Sequence, residues 1–356
     1  MRVVRSDLMP YRLPLTVPFR WSGGEVASRE GVLLRLEDER GRVGWGDGAP
    51  LPGFSRETLG EATRTLADAA EIVRNRALDA LDLTNPGGDF HTALDAADLA
   101  PSARYALDLA LWDLAAQALG RTLPHTMHPD PAVLLPVNAL LSEEGEALLD
   151  EALRRVAEGY RTLKLKVGWG PIEDDAERVR AVRERVGSGV ALRADANRGW
   201  SWTEAVAFAE GVRGAALDYV EEPLREPARL PELWADTGLP IALDETLAER
   251  TGEEAIRGWV RAAILKPTLL GGVAATLRLA ARARSVGVRP ILSGAFESGV
   301  GLRGVAALAA ATGAEPAGLD PYRRLATDVL VERLPLDRPV VDVPALFARP
   351  VEVALR

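Results

Sequence analysis

Lys164 and Lys166 stand two apart in the apolar run LKLKVG. On a strand, residues i and i+2 share a face, so both ammoniums project the same way. Other apolar runs also end in charge: Asp195 and then Asn197 in VALRADAN, Glu221 and Glu222 in LDYVEEP, Asp244 and Glu245 in PIALDET, Lys266 in AAILKPT. Glu297 follows RPILSGAF, and Asp320 ends AGLD. Charge is costly to bury, so a charge at the same end of each run points to a site. Asp195, Glu221 and Asp244, with no histidine or cysteine near them, form an oxygen-only donor set. Such a set suits Mg²⁺ first and Mn²⁺ second, whereas zinc recruits nitrogen or sulfur. An ammonium beside a dication and a second ammonium has its neutral form favoured. Lys166 is therefore the expected base, with Lys164 holding its pKa down, and Lys266 opposite supplies positive charge or a proton. The matching chemistry is removal of the α-proton of a small-molecule carboxylate whose enediolate the metal stabilises.

Each residue alone has an ordinary reading. A Lys-x-Lys pair is common on solvated edge strands, Glu221-Glu222-Pro223 reads as a turn, and Asp244-Glu245-Thr246 as a helix cap. Asp195-Ala196-Asn197 reads as an Asx turn. Trp112, Trp200 and Trp202 read as packing, and the three histidines, His91, His125 and His128, as surface or loop residues. What separates the site from these readings is the joint pattern, one charge per strand, in order, at one end.

That pattern needs a scaffold that gathers strand ends. From about residue 133, strand-like runs (VLLPVNAL, TLKLKVG, VALRADAN, LDYVEEP, PIALDET, AAILKPT, RPILSGAF, AGLD) alternate with helix-like stretches such as DDAERVRAVRERVG. Eight strands with intervening helices predict a closed parallel barrel, whose active sites form at the C-terminal strand ends. An open doubly wound sheet lacks its dinucleotide fingerprint here. Residues 1–100 read as a small α+β unit, 101–320 as the barrel, with PSARYALDLALWDLAAQALG as the join, and 321–356 as a Pro-rich return segment packing on the N-terminal unit.

Bulk properties limit the partners. The chain has 356 residues, a net charge of −9 and no cysteine. The acidic balance argues against nucleic acid. Absence of cysteine removes disulfides and thiolate chemistry and fits a cytoplasmic protein. No run is long enough to span a bilayer and no secretory signal is evident. A homo-oligomer is compatible with all of this.

The motifs Lys164-Leu165-Lys166, Asp195-Ala196-Asn197, Glu221-Glu222-Pro223, Asp244-Glu245 and Lys266-Pro267 resemble those of the enolase superfamily, muconate-lactonizing-like subgroup. The resemblance covers nearly the whole chain. It implies a modified (β/α) TIM-type barrel capped by an α+β domain formed by the N-terminal part and the C-terminal return. It also implies Asp195, Glu221 and Asp244 as Mg²⁺ ligands and Lys166 and Lys266 as the acid/base pair. The segment GWGDGAPLPGFSRETL, with ILKPTLLGG and SGAFESGVGL, is most similar to the o-succinylbenzoate synthase family. That family is a lyase of menaquinone biosynthesis. It dehydrates 2-succinyl-6-hydroxy-2,4-cyclohexadiene-1-carboxylate to o-succinylbenzoate. One departure is Asp47, where many relatives carry glutamate, in a cap segment not expected to touch the chemistry.

Residues expected around the substrate are Asn138, Asn197, Ser293, Phe296 and Glu297 on the barrel and Arg29, Pro52 and Phe54 on the cap. Arg20 and Arg29 are candidates to meet a succinyl carboxylate. N-succinylamino acid racemase, which uses the same metal and lysines, is the nearest rival, alone or as a second activity. A dipeptide epimerase would carry a paired-aspartate motif near strand eight, where only Gly318-Leu319-Asp320 is found. A non-catalytic metal- or carboxylate-binding barrel would not need lysines on two sides.

Overall fold

The computed structural model describes residues 1–21, 24–249 and 252–354, with the side chains at 20, 21, 252 and 253 outside that description. The Arg20 side chain, a candidate to meet a succinyl carboxylate, and residues 22 and 23 thus lie outside the described residues.

The N-terminal unit is an antiparallel sheet of β1 (Val3–Trp21), β2 (Gly24–Asp38) and β3 (Val43–Gly48), in that order. The β2–β3 turn at Glu39-Arg40-Gly41 is fixed by Asp38, whose carboxylate accepts from the Arg40 and Arg42 amides and the Arg42 guanidinium. Helix Leu59–Val73 starts at Thr58, where a reciprocal capping box with Glu61 satisfies first-turn donors. The helix Pro101–Ala118 lies on this sheet. Its Ala103, Ala106, Leu107, Ala110 and Leu114 share a core with Val32, Leu34 and Leu36, whereas Tyr105, Leu109 and Trp112 join the barrel's core. It is apolar on both sides because it is buried on both sides. Close approach needs Gly46, since a Cβ there would sit 1.8 Å from the Ala106 carbonyl oxygen.

After β4 (Leu134–Pro136), seven parallel strands follow: β5 (Ala139–Leu141), β6 (Thr162–Lys166), β7 (Ala191–Asp195), β8 (Leu217–Glu221), β9 (Ile241–Leu243), β10 (Ala262–Leu265) and β11 (Arg289–Leu292). They pair in sequence order from β5 to β11. Parallel bridges Ser293–Gly318 and Val137–Ala317 close the ring, so the eighth strand is reduced to Ala317 and Gly318. β9 and β10 are buried at every residue, as parallel strands covered by helices are. Helix Ile172–Val186 carries Glu173, Asp174 and Asp175 in its first turn and Arg183 and Arg185 in its last, matching its dipole.

The return segment divides its contacts. Leu325 bridges Leu15 of β1, while β12 (Val340–Asp342) pairs antiparallel with β4. No helix among the described residues is long and apolar enough to cross a membrane.

Candidate active site

Strand register sets the mouth of the barrel. Lys166 on β6 is the partner of Asp195 on β7, and Asp195 of Glu221 on β8. Lys164 Nζ lies 2.7 Å from Asp195 Oδ2 and 2.5 Å from Glu221 Oε2. Lys166 Nζ donates to Asp195 Oδ2 and to Asn197 Oδ1, both at 2.6 Å. Four strands round, Lys266 Nζ donates to Asp244 Oδ2 at 2.5 Å. Asp195, Glu221 and Asp244 are buried, whereas the Lys166 side chain keeps 40% of its exposure. Of the three lysines, then, Lys166 is the one that faces the opening.

Two loops fix these positions. The Gly168 amide donates to Asp175 Oδ2 at 2.6 Å, tying the end of β6 to the next helix. Gly168 has φ +86°, and a Cβ there would press on the Ala196 carbonyl, so the β6 and β7 loops nest only with glycine. Glu222 points away from Glu221 and accepts from the Asp244 and Thr246 amides, the Thr246 hydroxyl and Arg198. It thereby orients the segment that carries Asp244.

Charge is unevenly matched. Burial opposes the charged form of Asp195, but Lys164, Lys166 and Lys266 hold its carboxyl well below the ordinary range. Burial pushes Glu221 up to about 7; Lys164 opposes the rise, and Asp195 and Asp244 add to it. Burial, then Asp244, Glu222 and Asp195, pushes Glu245 up to about 8. Lys164 and Lys266 are raised: burial favours their neutral forms, but Asp195 and Glu221 at the first and Asp244 and Glu245 at the second outweigh it. Lys164, expected to hold the pKa of Lys166 down, has its own charge taken up by two carboxylates, Asp195 and Glu221.

Among the described residues, no group of three or more histidine, cysteine, aspartate or glutamate side chains stands ready as a metal cage. The lysine ammoniums lie between the carboxylates instead. The donor set itself fits a hard dication. It is all oxygen, a single ammonium already bridges Asp195 and Glu221, and the raised Glu221 marks a carboxylate short of positive charge.

Other predicted residues divide between the mouth and its supports. Asn197 joins Lys166 to Glu245 through Nδ2 and Oε1 at 2.9 Å. Phe54 has its ring 5.8 Å from Lys266 Nζ, and Phe19 packs between Phe54 and Phe296 at 6.0 and 5.0 Å. Pro52 is half-buried beside them. Ser293 lies at the barrel seam against Gly318. Asn138 is buried and accepts from Arg193 Nη1, below the lysines. Glu297 is buried, with Oε1 on the Thr268 hydroxyl and Oε2 on the Ala295 amide. Arg29 is 1% exposed and donates to the Ala49, Pro50 and Phe296 carbonyls. Asp320 does not join the mouth: it accepts from the Leu140 amide and pairs with Arg323. His91 is buried in the cap on the Leu83 carbonyl rather than at the surface. Thr268 is not singled out by sequence, and Glu222 and Thr246 are read there without the supporting role their contacts give them. The doubled Glu221-Glu222 was the available signal, since alternation must send one of the two away from the mouth.

Known proteins resemble this chain along nearly its whole length. Residues 147–347 match the enolase C-terminal domain-like family and residues 3–114 the MenC N-terminal domain. An N-succinylamino acid racemase of Thermus thermophilus is 35% identical over 85% of this chain and 80% of its own. An o-succinylbenzoate synthase of Edwardsiella ictaluri is 30% identical over 92% and 93%. The structure of a dipeptide epimerase from Enterococcus faecalis complexed with Mg and L-Leu-L-Tyr superposes with a TM-score of 0.87 at 25% identity, over 96% of this chain and 97% of that one.

Proposed function

Because the chain belongs to the enolase superfamily, we propose that it carries out the Mg²⁺-dependent dehydration of 2-succinyl-6-hydroxy-2,4-cyclohexadiene-1-carboxylate to o-succinylbenzoate, a cytoplasmic step of menaquinone synthesis. The observation that carries the reading is the Lys166–Asp195 contact at 2.6 Å beside the Lys266–Asp244 contact at 2.5 Å, two ammoniums held on opposite sides of one acidic mouth. The match of residues 3–114 to the MenC N-terminal domain and a synthase relative aligned through both cap and barrel support this reading; racemase and epimerase relatives align about as widely.

Asp195, Glu221 and Asp244 would hold Mg²⁺, which when bound supplies positive charge to the substrate carboxylate as its α-proton leaves. Lys166, the most exposed of the three lysines, takes that proton. Asn197 and Asp195 keep its Nζ aimed into the mouth. Hydroxide departs from the neighbouring carbon, and the Lys166 ammonium can return the proton to it. Lys266 lends positive charge from the other side. Phe19, Phe54 and Phe296 form an apolar wall against the ring and keep water from it. Arg29 and Glu297 support that wall rather than meet the substrate.

A racemase of N-succinylamino acids is the second reading, favoured by the independent anchoring of Lys166 and Lys266 on different carboxylates, one per face. Purified protein with Mg²⁺ and the cyclohexadiene substrate decides, followed by ultraviolet absorbance. Aromatisation supports dehydration. Its absence, with α-proton exchange of N-succinyl amino acids in D₂O, moves the assignment to the racemase.

A further inference from the structure

The Lys266 side of the mouth is held from the cap, through a buried chain of contacts that contains no metal ligand. Arg29 lies on β2 of the cap. Its Nη2 donates to the carbonyls of Ala49 and Pro50, at 3.1 and 3.0 Å, immediately before the loop bearing Phe54. Its Nε donates at 3.2 Å to the carbonyl of Phe296, in the barrel loop after β11. Phe296 has φ +61°, a region that disfavours a bulky residue, so the surroundings must hold it there. In this conformation the next residue, Glu297, turns inward and accepts from the Thr268 hydroxyl at 2.5 Å. Thr268 is two residues beyond Lys266, in the short helix Pro267–Leu270 whose Leu269 and Leu270 amides donate to the Lys266 carbonyl. Arg29, Thr268 and Glu297 are all essentially without solvent exposure.

We propose that Arg29, acting through Phe296, Glu297 and Thr268, is a positioning residue that sets Lys266 and the aromatic wall together when the cap seats on the barrel. One guanidinium spans the two loops that carry Phe54, whose ring lies 5.8 Å from Lys266 Nζ, and Phe296, which shares an apolar cluster with Phe54. A cap that is not seated therefore leaves both the wall and Lys266 unaligned. The Lys166 side is independent of the cap in this respect, being held by Asp195, Asn197 and Glu245 within the barrel. The inference deepens the proposed function, resting on Lys266 as a working group of the mouth.

The test uses the full-length protein as Arg29→Met, Thr268→Val and Thr268→Ser. With the cyclohexadiene substrate, Arg29→Met and Thr268→Val are expected to lose about 10- to 100-fold in kcat, as misplacement of a working group does. Thr268→Ser, which keeps the hydroxyl, restores most of it. The Mg²⁺ dissociation constant stays within about threefold in all three, because the ligand strands are not in the chain of contacts. Amide hydrogen exchange is the readout that needs no substrate. It should quicken in 265–270 and 293–298 but not in 191–197. Unchanged kcat in a folded Thr268→Val, unchanged exchange in 265–270, or Mg²⁺ affinity falling in step with kcat overturns the inference. If the unaltered protein does not turn over this substrate, the proposed reaction falls, and hydrogen exchange still decides the linkage.

Discussion

Lys166 Nζ and Asp195 Oδ2 meet at 2.6 Å across one rung of the β6–β7 ladder. The contact follows from pairing alone, since register partners in parallel strands present their side chains to the same face. Lys164 sits one alternation lower on the same face and reaches the same Asp195 oxygen. Two lysines therefore share one carboxylate, and only the upper one opens to solvent.

Lys166→Ala is expected to lower kcat by about 10²- to 10⁴-fold, the usual contribution of a positioned base. Steady-state kinetics with the cyclohexadiene substrate measure it, with Mg²⁺ binding by calorimetry and the melting profile as controls. Turnover close to that of the unaltered protein would locate the base elsewhere.

Asp244→Asn removes a charge from the donor set and the partner of Lys266. Mg²⁺ affinity should drop by about tenfold or more, as it does when the groups around a metal are altered. A metal titration of the folded variant is the check. An unchanged dissociation constant takes Asp244 out of the ligand set.

Asp47 is fully buried, accepts from the Tyr11 hydroxyl and from the Ser298 amide and hydroxyl, and joins β3 of the cap to the start of helix Gly299–Ala311. Burial raises its carboxyl to about 6, against the hydrogen bonds that lower it. A raised acid stabilises the fold most below its unfolded pKa, near 4, and that contribution fades as pH climbs through about 6. The stability of the unaltered protein relative to Asp47→Asn should therefore fall by on the order of 2 kcal/mol between pH 4 and pH 7. Denaturant unfolding of both proteins across that range measures it. A flat or rising difference contradicts the assignment.

Gly46→Ala places a methyl against the Ala106 backbone, where neither strand nor helix can yield by rotating a side chain. A loss of about 3 kcal/mol or more is expected, as for severe overpacking. Thermal melts detect it, and a midpoint equal to that of the unaltered protein would mean that the cap helix shifts freely.

The sequence by itself determined the barrel, its strand order and the identity of the charged mouth. Alternation of side chains along a strand and convergence of parallel strand ends are local rules, and one charge per apolar run is enough to apply them. Lys164, Lys166, Asp195, Glu221, Asp244 and Lys266 were legible for that reason. Tertiary structure alone decided which charges gather at the mouth and which support it. Glu222, Glu297 and Arg29 look equally available in the chain, yet each is spent on backbone groups or a hydroxyl brought close by folding. Asp320 ends a strand-like run but turns to the Leu140 amide, because the eighth strand shrinks to two bridged residues. Such partners lie up to 267 residues apart in sequence, as for Arg29 and Phe296, and no local pattern encodes a contact of that span.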